Sequence, residues 1–230
     1  MSKVIAILLL AGKSERTQTK TPKQYALSKK KVPLFLETFF RLKEADFIDE
    51  TFFVTPEGDM EKVQEFLKNA GINPLNYSFV EGGKTREESV YHALTKIKEN
   101  PANRDSFVLI HDADRPYIKA SFLKRVIEEA TKKGTAIPAL RSHDSLVEIQ
   151  GDSISYLPRE NIYRVQTPQA FLFPPLYDAF KARKEELSFY SDDASVYLAK
   201  HQKGLFFVPG EEENIKITSR EELEKWRKGK

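Results

Sequence analysis

Apolar residues run without interruption from Val4 to Leu10 and stop at Ala11-Gly12, which reads as a buried strand that ends abruptly. About a dozen polar and basic residues follow with no apolar period, and a loop of that length directly after a core strand is uncommon unless it serves a function. A polar turn over Ser28 to Lys31 then leads to Pro33. Apolar positions at Leu34, Leu36, Phe39, Phe40 and Leu42 suit a helix ending near Ala45. Ile48 to Val54 alternates and is rich in β-formers, so it predicts a strand closed by Pro56-Glu57-Gly58. Asp59 is placed to cap a helix that runs to Ala70 and stops at Gly71. Tyr77 to Val80 is a short strand meeting Glu81-Gly82-Gly83, and Thr85 opens a further helix with Glu88 as its capping-box partner. Phe107 to His111 lacks alternation, which predicts burial on both faces. Lys119 to Lys133 forms a helix with Phe122, Val126 and Ile127 inward, Gly134 ends it, and Thr135 to Leu140 is the next strand.

This alternation of strands and helices predicts an α/β fold, a mostly parallel sheet with helices on both faces. The rhythm breaks at Arg141. Ser145 to Ile149 and Ser153 to Leu157 form two strands around Gly151-Asp152, a hairpin with no evident sheet to join. It is either an edge extension or an arm that pairs with another subunit, and the arm is favoured because a short hairpin is seldom stable unpacked. Val165 to Phe171 returns to the body, and Pro174 to Leu187 and Asp192 to Ala199 are helical. Leu205 to Val208 and Ile215 to Ile217 are late strands, followed by a helix from Ser219 that carries Trp226. One domain over residues 1–230, with a protruding arm at about 143–166, fits the 230-residue length.

Composition narrows the class. With 40% hydrophobic and 31% charged residues the chain is an ordinary globular protein, and a net charge of +3 argues for neither nucleic acid nor a membrane surface. There is no cysteine, hence no disulfide framework, thiolate zinc site or cysteine nucleophile. No apolar run approaches the ~20 residues that span a bilayer. Lys3 with the following apolar run mimics a short signal peptide, but it leads straight into the basic loop and is taken as the first strand. A cytoplasmic protein is expected.

In an open α/β sheet, ligands bind beyond the carboxyl ends of the strands. After the first strand come Ala11, Gly12 and a loop holding Lys13, Arg16, Lys20 and Lys23, where backbone amides and cations can converge on an anion. An ordinary solvated basic loop accounts for that run equally well. It is not a P-loop, because the required earlier glycine falls on Ile7. Nor is it a dinucleotide fingerprint, because Ser14 and Thr17 stand where further glycines belong. After the third strand come Gly82, Gly83, Lys84, Thr85 and Arg86; after the fourth, His111, Asp112, Ala113, Asp114 and Arg115; after the last, Lys216 within NIKIT. Glycines, a carboxylate at a buried strand end and several cations on one rim are the makings of a site for a nucleoside triphosphate and a metal ion. Asp112 is expensive to desolvate unless it is paired or binds a metal, and pairing with Arg115 is the plainer alternative. The double glycine would let backbone approach a base or ribose closely, or is an ordinary turn. The histidines show no metal-ligand spacing, and there is no nucleophile elbow.

The motifs LLAGKSER, TPKQY, EGGKTREESV, LIHDADRP, PRENIYRVQTPQAF, SDDAS and ENIKIT, in that order, resemble the 2-C-methyl-D-erythritol 4-phosphate cytidylyltransferases and the similar ribitol-5-phosphate cytidylyltransferases. The resemblance runs from Val4 to about Leu223. It implies a Rossmann-like nucleotidyltransferase fold whose β-arm is exchanged across a homodimer. The implied reaction joins CTP to a polyol phosphate and releases pyrophosphate with Mg2+. Carried over, the family's transition-state-stabilising cations fall on Arg16 and Lys23, its metal-binding aspartate on Asp112, and the residues positioning the sugar phosphate on Arg159 and Lys216. Nucleotide contacts fall on Ala11, Gly12, Gly82, Gly83, Ser89 and Ala113, and substrate-side positions on Arg115, Asp144, Thr167 and Ser191.

The chain departs from that pattern. Ser14 replaces a usual second glycine, and Ser145 and Ser191 replace usual threonines. Asp114 replaces a small neutral residue; a second metal contact, a partner for Arg115 and a weakening of anion binding are its possible roles. These changes bear on the acceptor more than on CTP. The expected acceptor is methylerythritol phosphate, for isoprenoid precursors. The alternatives are ribitol 5-phosphate, for cell-wall polymer, and a non-catalytic nucleotide-binding homologue.

Overall fold

A computed structural model describes residues 2–12 and 21–229. The centre of the sheet is β1 (Val4–Leu9), which pairs in parallel with β2 (Glu50–Thr55) on one side and with β4 (Phe107–Asp112) on the other. The strand β3 (Ser78–Glu81) continues in parallel beyond β2. On the other half, β9 (Gln169–Leu172) lies antiparallel between β4 and β5 (Thr135–Arg141). Beyond them β10 (Phe207–Pro209) is parallel to β5, and β8 (Tyr163–Val165) pairs antiparallel with the far end of β5. The order β10-β5-β9-β4-β1-β2-β3 makes β1 the point where successive connections diverge, the place where such sheets open a crevice at their carboxyl edge.

The unbroken apolar runs have a direct cause. Alternate residues of each central strand feed two separate cores. Val4, Leu8, Phe53 and Leu109 meet α1 (Leu34–Lys43), α2 (Met60–Asn69) and α4 (Ala120–Lys133) through Phe35, Phe39, Leu67, Phe122 and Val126. Ile5, Ile7, Val54, Val108 and Ile110 meet α3 (Arg86–Lys98), α5 (Phe173–Ala182) and α6 (Asp193–His201) through Leu94, Ile97, Leu176, Phe180 and Val196. Gly134, at φ 85°, closes α4 in the left-handed conformation that a side chain resists. A capping box at Ser219 and Glu222 starts α7 (Arg220–Arg227), and Trp226 donates to Glu37 at 2.8 Å, tying this helix to α1.

Three local expectations fail. Ile215 to Ile217 is not a strand. Ile217 is buried with Leu34, Leu223 and Trp226 while Ile215 stays half exposed, so the alternation marks an anchored tether rather than a ladder. Asp59 precedes α2, but its carboxylate accepts the Tyr25 hydroxyl at 2.7 Å and not a helix amide. Thr85 does cap α3, accepting from the Glu88 amide at 3.1 Å. The Glu88 carboxylate reaches one residue further back than a capping box requires, to the Lys84 amide at 2.7 Å.

The hairpin forms as expected. Its strands β6 (Val147–Gln150) and β7 (Ser153–Tyr156) pair only with each other among the described residues, and every residue of both is exposed.

Candidate active site

The carboxyl ends of β1 and β4 open into a cavity of about 600 Å³. Its wall brings together Ala11, Gly12, Lys23, Gly83, Ser89, Asp112, Ser191 and Lys216, which lie far apart in the chain, together with Lys84, Arg86, Glu87 and Asp114. Arg16, with Lys13, Ser14, Thr17 and Lys20, lies outside the described residues.

Asp112 ends β4 and is the electrostatic centre. It is buried, and its Oδ2 accepts from Lys216 Nζ at 2.8 Å while Oδ1 accepts from Arg86 Nε at 3.2 Å. Arg115 Nε stands 3.7 Å from the same carboxylate. Burial by itself pushes this carboxyl up, but the charges of Arg86, Lys216 and Arg115 outweigh it and hold Asp112 well below the ordinary carboxylate range. The pairing with Arg115 is therefore one of three. Arg115 also donates to the Asn214 carbonyl at 2.8 Å, which holds the tether bearing Lys216 against the sheet end.

Arg86, at the first turn of α3, is fixed from the far side by a bidentate pair with Asp193, at 3.0 and 2.8 Å. Asp193 is fully buried, and burial pushes its carboxyl up against the pull of Arg86. This brace was missed in the sequence, where the SDDAS motif gave no hint that its two aspartates divide the work. Asp192 caps α6 and Asp193 holds Arg86.

Lys23 sits on a 3-10 turn (Lys23–Tyr25) anchored by Tyr25, whose ring packs against Phe35 and Phe66. Its ammonium donates to the Ile217 carbonyl at 2.9 Å and lies 2.5 Å from Asp114 Oδ2. Asp114 thus pairs with Lys23 and not, as one of its expected roles had it, with Arg115.

The double glycine is required by packing. A Cβ on Gly82 would stand 2.4 Å from that of Ala11, and one on Gly83 would stand 2.4 Å from that of Glu88. Gly82 lies behind the cavity wall, while Gly83 and Ser89 line it; the Gly83 amide donates to Ser89 Oγ at 3.0 Å. Ala113 is buried, and its carbonyl accepts from Thr38 at 2.7 Å. A second cavity adjoins the first behind Asp112, and Arg115, Thr167 and Ser191 line it. Arg159 and Asp144 do not join either cavity within one chain; both are exposed, on or beside the arm.

His111 is structural. Its Nε2 donates to the Arg115 carbonyl at 3.3 Å, so Nδ1 accepts from the Thr167 hydroxyl at 3.2 Å, and that hydroxyl in turn accepts from the Asp112 amide at 3.1 Å. Burial lowers the imidazole from 6.5 to about 4. The unfolded chain then takes up a proton between those values that the folded chain refuses, so stability is present above pH 6.5 and about 3 kcal/mol is lost as pH falls to 4. Glu87 and Asp193, both raised by burial, act in the opposite direction. The comparison of wild type with His111→Gln isolates the histidine: urea unfolding across this range is expected to show a shallower acid loss in the variant. Equal slopes would show that the ring is not held neutral.

Among the described residues no group of three or more His, Asp or Glu side chains converges as a metal cage. Asp112, which lines the cavity, fits instead a magnesium ion held by one carboxylate and phosphate oxygens, while Asp114 is engaged by Lys23.

The family profile described as 2-C-methyl-D-erythritol 4-phosphate cytidylyltransferase matches residues 4–226. A protein of that name from Thermotoga neapolitana is 37% identical over 96% of this chain and 93% of its own. Another from Syntrophus aciditrophicus is 34% identical over 96% and 93%. The crystal structure of 4-diphosphocytidyl-2C-methyl-D-erythritol synthase from Anaerococcus prevotii superposes with a TM-score of 0.81 at 25% identity, covering 98% of this chain and 95% of that one.

Proposed function

As this chain belongs to the 2-C-methyl-D-erythritol 4-phosphate cytidylyltransferase family, we propose that it transfers CMP from CTP to 2-C-methyl-D-erythritol 4-phosphate in isoprenoid precursor synthesis. The observation that carries the reading is the single cavity into which Lys23, Arg86 and Lys216 converge beside Asp112. An oxygen of the acceptor phosphate forms a bond to the α-phosphorus. The bond from that phosphorus to the bridging oxygen breaks, and its electron pair leaves with pyrophosphate. The attacking phosphate is already ionised, so the site has little proton chemistry to do. It has to bring two anions together and receive charge on the equatorial and departing oxygens.

Lys216 and Arg86, fixed on Asp112, supply positive charge without reorganising at the moment of reaction. Lys23, with Arg16, is assigned to the triphosphate. Ala11, Gly12, Gly83 and Ser89 are assigned to the nucleoside and phosphates along the wall, with Gly82 and Ala113 shaping it from behind. Arg115, Thr167 and Ser191 face the acceptor side. Asp112 would hold magnesium, which when bound neutralises phosphate charge.

The exposed arm supports a homodimer in which Arg159 and Asp144 reach the partner's cavity. Removal of Ser145 to Leu157 is expected to abolish both dimerisation and acceptor use while leaving CTP binding intact, since β6 and β7 pair with no other described strand of their own chain. A fully active monomer, seen by sedimentation and assay, would contradict it. The enzyme is assigned to the cytoplasm; no helix among the described residues is long and apolar enough to cross a membrane.

The test is pyrophosphate release by the purified protein with CTP and each acceptor. Methylerythritol phosphate is expected to be used at least about a hundredfold better, by kcat/KM, than ribitol 5-phosphate. The reverse order would reassign the acceptor, and no release with either would leave a nucleotide-binding homologue.

A further inference from the structure

Lys23 reaches the cavity already carrying an anion. Asp114 Oδ2 lies 2.5 Å from its ammonium, and the Ile217 carbonyl accepts from the same nitrogen at 2.9 Å. The Ile217 amide donates back to the Asp114 carbonyl at 2.9 Å, so lysine, aspartate and tether form one closed unit. Each of the two charged residues is 9% exposed, and both line the same cavity as Asp112 and Lys216. Asp114 Oδ1 is buried with no hydrogen-bond partner among the described residues, so this carboxylate is satisfied largely through Lys23. A carboxylate oxygen and a phosphate oxygen are equivalent acceptors for an ammonium, and they compete for the same donor.

From this geometry we propose that Asp114 is a positioning residue acting as a resident anion on Lys23. It holds the ammonium where a polyphosphate oxygen is to bind, yields it when the triphosphate enters, and takes it back as pyrophosphate departs. The inference rests on the nucleotidyl-transfer reading for its biological meaning, but the exchange itself needs only an anion in the cavity. Its functional consequence is faster release of pyrophosphate at the expense of affinity for polyphosphate. Every binding event is a trade of one anion for another rather than the filling of an exposed cation site.

Calorimetric titration of inorganic pyrophosphate, with magnesium present and without CTP or acceptor, tests this. In Asp114→Ala the dissociation constant is expected to fall about tenfold, and in the isosteric Asp114→Asn by less, because a neutral amide oxygen competes weakly. The same change made in a Lys23→Met background is expected to shift it less than about twofold, since the carboxylate acts through the lysine. Asp114→Asn decides the matter if the alanine variant does not fold. Unchanged or weaker pyrophosphate binding would overturn the proposal. An equal gain in the Lys23→Met background would also overturn it, because it would show direct repulsion of the anion. A protein that shows the expected shifts but never forms a cytidylyl product would retain this exchange and lose the assigned reaction.

Discussion

Lys23→Met is expected to slow CMP transfer by at least about a hundredfold, the size of effect that follows loss of one preorganised group facing developing charge. The lysine lies on a turn locked by Tyr25 against Phe35 and Phe66, so its ammonium is aimed before any substrate arrives. A neutral side chain of similar length keeps the packing and removes only the charge. The loss should fall mainly on kcat, because charge builds on the phosphate oxygens most strongly in the transition state. There is also a structural cost. Asp114 would be left buried beside no ammonium, and breaking such a pair costs about 3–5 kcal/mol. Lys23→Met with Asp114→Ala separates the two effects: chemical denaturation should show most of the stability restored, while the rate stays low. A double variant that regained the wild-type rate would remove Lys23 from the chemistry.

Asp112→Asn should be comparably severe for a different reason. The wild-type carboxylate offsets Arg86, Lys216 and Arg115 at one buried point, and an amide leaves those three cations facing each other. A loss of about 3 kcal/mol in unfolding free energy and at least about a hundredfold in turnover is expected. Lys216→Met is the sharper companion. Lys216 is partly exposed, and its removal leaves Asp112 two cations, so stability should change by only about 1 kcal/mol or less. If Lys216→Met retained its turnover, the Asp112 cluster would be a structural knot rather than a phosphate site.

The sheet was legible because both faces of its central strands are covered. Val4 to Leu10 and Phe107 to His111 are apolar throughout since alternate residues enter two different cores, whereas a strand with one solvated face would alternate. Gly134 and the exposed hairpin were readable for equally local reasons: a left-handed helix end, and two short strands around a turn.

What was not legible depends on contacts across the chain. Nothing local in NIKIT distinguishes a ladder strand from a tether; Ile217 settles it by burying against Trp226 and Leu223, and Asp114 fixes it by accepting its amide. Nearness in sequence points Asp114 at Arg115, whereas Lys23, remote in the chain, reaches it across the strand ends. That Gly82 and Gly83 also leave room for Ala11 and Glu88 depends on contacts no local pattern shows. The cluster on Asp112 was foreseen as a set of separate motif positions. That Asp193 braces Arg86 from beneath needed the packing of α6 against α3 and β9.

Whether these cations serve a triphosphate is tested most directly by a crystal structure of the protein with CTP and magnesium. The expected result is the triphosphate in the cavity at the ends of β1 and β4, between Lys23 and Lys216 and beside Asp112, with the nucleoside along Gly83 and Ser89. CTP bound on another surface, with Lys23 and Lys216 both turned away from its phosphates, would contradict it.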